Sequence, residues 1–481
     1  MQRHDTWLQQ SDRRQRNDCV RRPCRARLRA GRVEEGRAID TSRHAWLRVA
    51  TLGGLACCAG LVPLRARAQY VPGQFPTGVP GYGQELGVTV VSRVRPLYEQ
   101  PGIRLGEFIF HPSLDESGGY NSNVLGLSGG KGSPVIETNP SLSLNSDWTR
   151  NSLGASVSAD NNIFTALSNQ NYTNWTAAIG GGYTIGRTEL TLAYAHLQLH
   201  EKPTDIGAPP TTTPLPFTVD DVRVSYPFEL GRLTVTPNFD ASFWRYGNTT
   251  INNLPSNQSF RDTDEYRGGA AFSYALTGGT SVLLTVQGIQ SDFIHSVAGS
   301  PSLSSTSGLA LGGLDYQYDG VWRFQALVGM EYRHYNASEF KSQWAPIARA
   351  AVIWTPTELT TLTATLLRTI QDPTQPASSG YAYTATELRV DHELFQNILL
   401  NAEAGVDVAN YFQNGGTQTA VYAGAGATWL INRYMNLTAQ YTYTTQNGFT
   451  NAFVDNNGVF TTVSGSGYNQ NLFLLTLHLG L

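Results

Sequence analysis

The segment VWRFQALVGMEYRHYN, Val321 to Asn336, places Trp322, Phe324, Ala326, Val328, Met330 and Tyr332 on one parity and Arg323, Gln325, Glu331 and Arg333 on the other. A helix would scatter these residues around its cylinder. A strand sends successive side chains to opposite faces, so one face is apolar and the other charged. A soluble half-buried strand carries the same pattern, so the decision rests on how often it recurs and on what separates the copies.

It recurs along the chain. Ile398, Leu400, Ala402, Ala404, Val406 and Val408 oppose Asn401, Glu403 and Asp407; Leu437, Ala439, Tyr441 and Tyr443 oppose Asn436, Thr438, Gln440 and Thr442. Leu233, Val235, Pro237, Phe239, Ala241 and Phe243 likewise oppose Thr234, Thr236, Asn238, Asp240 and Ser242. Short turns recur near Asn151, Gly186, Gly231, Gly278 beside Gly279, Gly320 after Asp319, Pro356-Thr357, Gln396 and Asn432, in steps of 35 to 47 residues. Between them lie longer polar segments such as 200–216, 248–262 and 295–307. The unit is a hairpin with one tight and one loose end, and the pattern predicts nine upward and nine downward strands, the first starting near Ile103 and the last ending at Leu481. A propeller would fit four strands into each such repeat rather than two long ones. A soluble sandwich needs neither apolar faces of ~10 residues nor loops of systematically unequal length at its two ends.

These features predict an all-β fold, a transmembrane antiparallel up-and-down β-barrel of about eighteen strands, with sixteen as the alternative. Closure pairs every strand on both sides and leaves no unsatisfied edge in lipid. Trp148, Tyr183, Tyr226, Tyr274, Tyr318, Trp322, Trp354, Trp429 and Tyr434 gather beside the short turns and read as an interfacial girdle on the periplasmic side.

Charge and cysteine divide the chain. Residues 1–68 hold 15 Arg, no Lys and 6 acids, so the remaining 34 − 15 = 19 basic and 37 − 6 = 31 acidic residues leave a body at −12. Such a body lacks the clustered cations that a nucleic-acid partner requires. Cys19, Cys24, Cys57 and Cys58 all precede residue 59, so downstream there is neither a disulfide framework nor a cysteine zinc site. The apolar run Val49–Leu64 follows Arg43 and Arg48 and leads to Ala66-Arg67-Ala68. Residues 1–68 therefore read as a long n-region plus secretory signal peptide, with cleavage expected after Ala68. A lipoprotein reading at Cys57-Cys58 is weaker, because apolar residues continue past the cysteines. Residues 69–102, rich in Gly and Pro, read as a periplasmic leader, and 103–481 as the barrel.

The segment PGIRLGEFIFHPSLDESGGYNSNVLG, Pro101 to Gly126, resembles the opening of the putative β-barrel porin 2 family, in which a G-I-R-L-G start leads to P-S-L and G-Y-x-S-N. Here those motifs are Gly102–Gly106, Pro112–Leu114 and Gly119–Asn123. The resemblance implies an outer-membrane barrel of Gram-negative bacteria, with some similar proteins associated with exopolysaccharide production. It brings no catalytic residues. In the last strand Phe473, Leu475, Leu477, Leu479 and Leu481 alternate with Leu474, Thr476, His478 and Gly480, as a closing strand read by the assembly machinery should, although the chain ends on Leu where an aromatic is more usual.

No catalytic, cofactor or metal residues are expected. His196 and His200 stand four apart, which on a strand is about 13 Å at ~3.3 Å per residue, too far to share one ion. The leading functional reading is a passive or gated conduit for small solutes. By parity, Arg223, Arg323, Glu331, Arg333, Glu387, Arg389, Asp391, Glu403 and Asp407 are its candidate lining, and the same residues could instead pair and stiffen the wall. The alternatives are an exopolysaccharide exporter working with a periplasmic synthesis complex, for which the leader is a tether, and a closed structural or adhesin barrel. A long loop such as 248–262 folding inward would set the constriction. Expected partners are outer-membrane lipid and the assembly machinery, with no nucleic acid.

Overall fold

The computed structural model describes residues 75–481, apart from 77, 84–86, 210, 252–253, 298–299, 318–319, 373, 375–378, 413–415, 455–459 and 466. The expected signal peptide and its cleavage site, together with Tyr318 and Asp319, lie outside the described residues.

Eighteen long strands run in sequence order. They are β1 (Phe108–Asn121), β2 (Ser133–Ser146), β3 (Ser152–Phe164), β4 (Tyr172–Ile185), β5 (Thr188–Glu201) and β6 (Leu215–Ser225). Next come β7 (Leu233–Tyr246), β8 (Thr263–Thr277), β9 (Thr280–Phe293), β10 (Ser305–Gln317), β11 (Trp322–Tyr335) and β12 (Gln343–Thr357). The last are β13 (Thr360–Gln371), β14 (Tyr381–Phe395), β15 (Ile398–Tyr411), β16 (Thr417–Asn432), β17 (Met435–Gln446) and β18 (Tyr468–Gly480). Each pairs antiparallel with its neighbours in the chain, and β1 pairs with β18 from Ser113↔Gly480 to Asn121↔Leu472, closing the sheet. The count is eighteen, which removes the sixteen-strand alternative. Among the described residues no helix is long and apolar enough to cross a membrane.

The opening segment is β11, and its two parities meet two environments. Val328 is 66% exposed and Met330 43% on the outer face, whereas Glu331 and Arg333 are each 3% exposed on the inner one. Trp322 stacks on Trp354 with centroids 5.1 Å apart near the short turns, and Tyr332 meets Trp344 at 4.7 Å near the long loops. At ~3.3 Å per residue on tilted strands, Trp322 to Tyr332 spans about 25 Å, the height of a barrel's apolar band. Trp175, Tyr266 and Tyr441 join the upper aromatics on the outer surface, forming a second girdle that sequence reading had not singled out.

Two local expectations change, and one strand is interrupted. Pro356-Thr357 lies inside β12, whose pairing with β13 shifts register between Trp354 and Thr357, so the turn is Glu358-Leu359. The first long strand starts at Phe108, because Gly106, at φ 65°, turns the short strand Ile103–Leu105 back against Phe108–Phe110. After Ser225 the strand resumes in the same register at Phe228–Leu230; Pro227 has no N–H to give, which interrupts the ladder without shifting it.

Candidate functional site

Single-chain barrels of this architecture put short turns on the periplasmic side and long loops outside. The interior between these ends is the candidate site, since eighteen strands enclose more space than wall side chains fill.

The inner wall carries charge in a repeated local form. Asp221 and Arg223 pair at 2.8 Å, Glu265 and Arg267 at 2.6 Å, Glu331 and Arg333 at 3.3 Å, and Arg389 and Asp391 at 3.0 Å. In each case the partners are two residues apart on one strand, so the β pleat sets them side by side on the same face. Cross-strand register adds links: Asp240 lies opposite both Arg223 and Arg267, and Arg389 opposite Glu403 at 3.6 Å. Arg333 also reaches Asp372 at 2.6 Å.

The nine candidate residues therefore fall into groups. Arg389, Asp391 and Glu403 come together on β14 and β15, and Glu331 and Arg333 join Asp372. Glu387 accepts the Tyr422 hydroxyl at 3.0 Å and Asp407 the Tyr383 hydroxyl at 3.2 Å. Arg323 stands near the short-turn end beside Trp322, and Arg223 lies opposite Asp240, midway along β7. Sequence reading missed Asp221, Glu265, Arg267, Arg349, Asp372 and Glu393. The acid-x-Arg spacing that marks Glu331-Tyr332-Arg333 would have found the first three. His196 and His200 take Asp220 (2.7 Å) and Asn174 (3.0 Å) as partners, and no cluster of metal-ligating side chains occurs among the described residues.

At the long-loop end the connection between β5 and β6 folds inward. Ile206 packs with Tyr381, Tyr383, Ala385, Ala409 and Ala420 on the opposite wall, and the Gly207 N–H donates to Gln418 Oε1 at 2.9 Å. Gly207 has φ +84°, and a Cβ there would stand 2.5 Å from the Tyr381 hydroxyl, so glycine suits both the turn and the approach. Behind the loop, Thr211 bridges to Ile251 of the hairpin Asn248–Ile251/Leu254–Asn257, and Gln170 Nε2 donates to the Thr212 carbonyl at 2.7 Å. The hairpin thus lies behind the inward-folded connection. At the base of that loop Arg261 grips Glu201 through two hydrogen bonds, 2.8 and 3.2 Å, and lies 4.1 Å over the Tyr246 ring, with both charged groups almost wholly buried. An open pocket remains beside the loop, lined by Lys202, Glu137, Tyr172, Asp407 and Tyr468 among others.

The described part of 69–102, between Phe75 and Gln100, lies against inward-facing wall residues, as a strap. Val79 and Tyr82 join Ala193, Leu197, Phe217 and Val219 in an apolar cluster; full burial contributes roughly 1.5–3 kcal/mol per large side chain. The Tyr82 hydroxyl donates to Asp221, at 2.9 Å to its carbonyl and 3.0 Å to its carboxylate, and burial followed by the Asp221 charge pushes this phenol's pKa up, keeping it a donor. Arg223 lies 4.3 Å from the Phe75 ring and 4.7 Å from the Tyr82 ring. An open pocket lies between the strap and Arg389, Asp391, Asn401, Gln440 and His478.

A closed antiparallel barrel with an apolar outer band, two aromatic girdles and a charged interior is a porin-like barrel of the outer-membrane type. The family model described as putative beta-barrel porin 2 matches residues 95–464, and the chain belongs to that family. No curated protein matches the sequence. Solved structures with some likeness include OccAB3 of Acinetobacter baumannii, at 11% identity over 78% of this chain and 100% of that one with a TM-score of 0.43. OccK2 (OpdF) of Pseudomonas aeruginosa has 12% identity over 77% and 98%, TM-score 0.42. The apoprotein form of the FrpB iron transporter of Neisseria meningitidis has 9% over 77% and 81%, TM-score 0.40.

Proposed function

We propose that this barrel is a conduit for small hydrophilic solutes across the outer membrane. The supporting observation is the interior: inward parities carry paired charges around the wall, and open pockets remain beside both the loop and the strap. Paired charges of both signs favour passage of small ions with mild selectivity, because fixed charges along a narrow aqueous passage set the local ion concentration. In this reading the chain is exported by a signal peptide cleaved after Ala68, and the alternating β18 serves the assembly machinery. Reversal potentials in planar bilayers under a salt gradient test the proposal. Replacing Glu403 and Asp407 together by Lys should shift the reversal potential toward anions, and a well-folded double variant with an unchanged reversal potential would contradict a lumen route past these residues.

A further inference from the structure

Among the described residues of the long strands, two arginines stand on the outward parity, and they are held differently. Arg245, in line with Phe239 and Phe243 on β7, donates to Asp264 of β8 at 2.7 Å. Arg368 of β13 is in register with Ala348 of β12, which lies opposite the exposed Val328 of β11, so it too faces outward. Its partners are neutral: Nε donates to the Pro346 carbonyl at 3.0 Å and Nη1 to Thr384 Oγ1 at 2.6 Å. Among the described residues no carboxylate pairs with it, and Nη2 has no partner. The outward rows of β11 to β15 continue at every second residue from Trp322, Trp354, Leu362, Val390 and Ala402, and in them Arg368 is the one formal charge among the described residues. The histidines of those rows, His334 and His392, bond to Ser342 and Thr360.

Leu362 is in register with Trp354 of the short-turn girdle, and Arg368 stands further up the same strand, about 15 Å at ~3.3 Å per residue with tilt. That is past the middle of an apolar band about 25 Å tall. A guanidinium facing lipid there is costly unless it reaches polar groups. The side chain leans toward the long loops, because Pro346, whose carbonyl it meets, is nearer that end of β12 than its register partner Ala348. Beyond Pro346 comes Trp344, exposed and packed against Tyr332 in the upper girdle. The connection before β12 brings Glu339 and Lys341, both exposed and of opposite sign, so Arg368 leaves the patch net positive.

We propose that Arg368, between Pro346 and Thr384 and below Trp344, holds a phosphate group of an outer-leaflet lipid headgroup. The unused Nη2 donors suit phosphate oxygens, and an exposed indole belongs at the same headgroup level. Arg245 is neutralised by the protein, and Arg368 by the bilayer. This contact stands whether or not the lumen conducts.

Native mass spectrometry of the purified barrel in detergent tests it, after incubation with bisphosphorylated lipid A or with its dephosphorylated form. Wild type should retain the phosphorylated lipid several-fold better. Arg368→Gln should lose that preference, Arg368→Lys should keep part of it, and Arg245→Gln should keep all of it. Equal retention of both lipids by wild type, or undiminished preference in folded Arg368→Gln, overturns the proposal; the wild-type comparison decides alone if that variant does not fold. Excess inorganic phosphate should leave the lipid bound, and its complete displacement would mark a small-anion site in place of a headgroup site. The rival occupant is a second copy of the chain, since Glu116 of β1 is also exposed on the outward face, opposite Leu477 and Thr138. If lipid-free wild type is oligomeric and either Glu116→Gln or Arg368→Gln makes it monomeric, the arginine's partner is that carboxylate and the lipid contact falls.

Discussion

Two segments packed inside this barrel are held by different chemistry. At the long-loop end the β5–β6 connection packs Ile206 against Tyr381 and Tyr383 and sets Gly207 on Gln418, with a hairpin behind, and the Glu201–Arg261 pair at its base is sealed from water. The strap combines an apolar anchor further up the wall with the arginines of the Glu393 cluster near the short turns, of which Arg93 is partly exposed. The first arrangement resists change because every removal uncovers a buried group. The second is graded, since a half-exposed ion pair is screened and replaceable by water.

Substitutions sharpen that contrast in a definite order. Arg261→Ala should have the largest effect, leaving Glu201 charged and unpaired in a dry site, at a cost of about 3–5 kcal/mol; urea unfolding in detergent should show it, together with a noisier conductance as the loop base loosens. Gly207→Val should come next, because a β-branched residue at φ +84° whose Cβ meets the Tyr381 hydroxyl costs roughly 1–3 kcal/mol. It should displace the loop from Tyr381 and Gln418 with the rest of the barrel intact, read as a change in conductance. Smallest is Arg93→Ala, at roughly 0.2–1 kcal/mol for a pair exposed on one side. It should leave unfolding unchanged and be read only in the salt dependence of conductance. Equal effects of Arg261→Ala and Arg93→Ala on stability would remove the distinction between the two segments.

The barrel was legible in the sequence because each wall residue meets one of two environments, and a two-residue period records which. Val328 and Glu331 could be assigned to opposite faces from β11 alone. The two inner segments were not legible, because their contacts join residues far apart: Arg95 reaches Glu393 across 298 positions and Gly207 reaches Gln418 across 211. The Gly and Pro that made 69–102 look like a linker include Pro80 and Gly81, which form a turn fitted to Gly154, Gly180 and Ala193. Composition records that a segment bends but not what it bends against. The charged pairs lay between these cases, since sequence reading looked across strands for partners that mostly stand two residues along the same one.

The central claim is that one parity of each wall strand faces water inside and the other faces lipid, and single cysteines test it most directly because no native cysteine lies beyond Cys58. In the membrane-inserted protein, Gln325→Cys and Glu403→Cys should react with a small water-soluble maleimide. Val328→Cys and Ala404→Cys should resist it and react with a lipid-phase reagent. Equal reaction of all four from water, in a barrel that remains folded, would contradict the account.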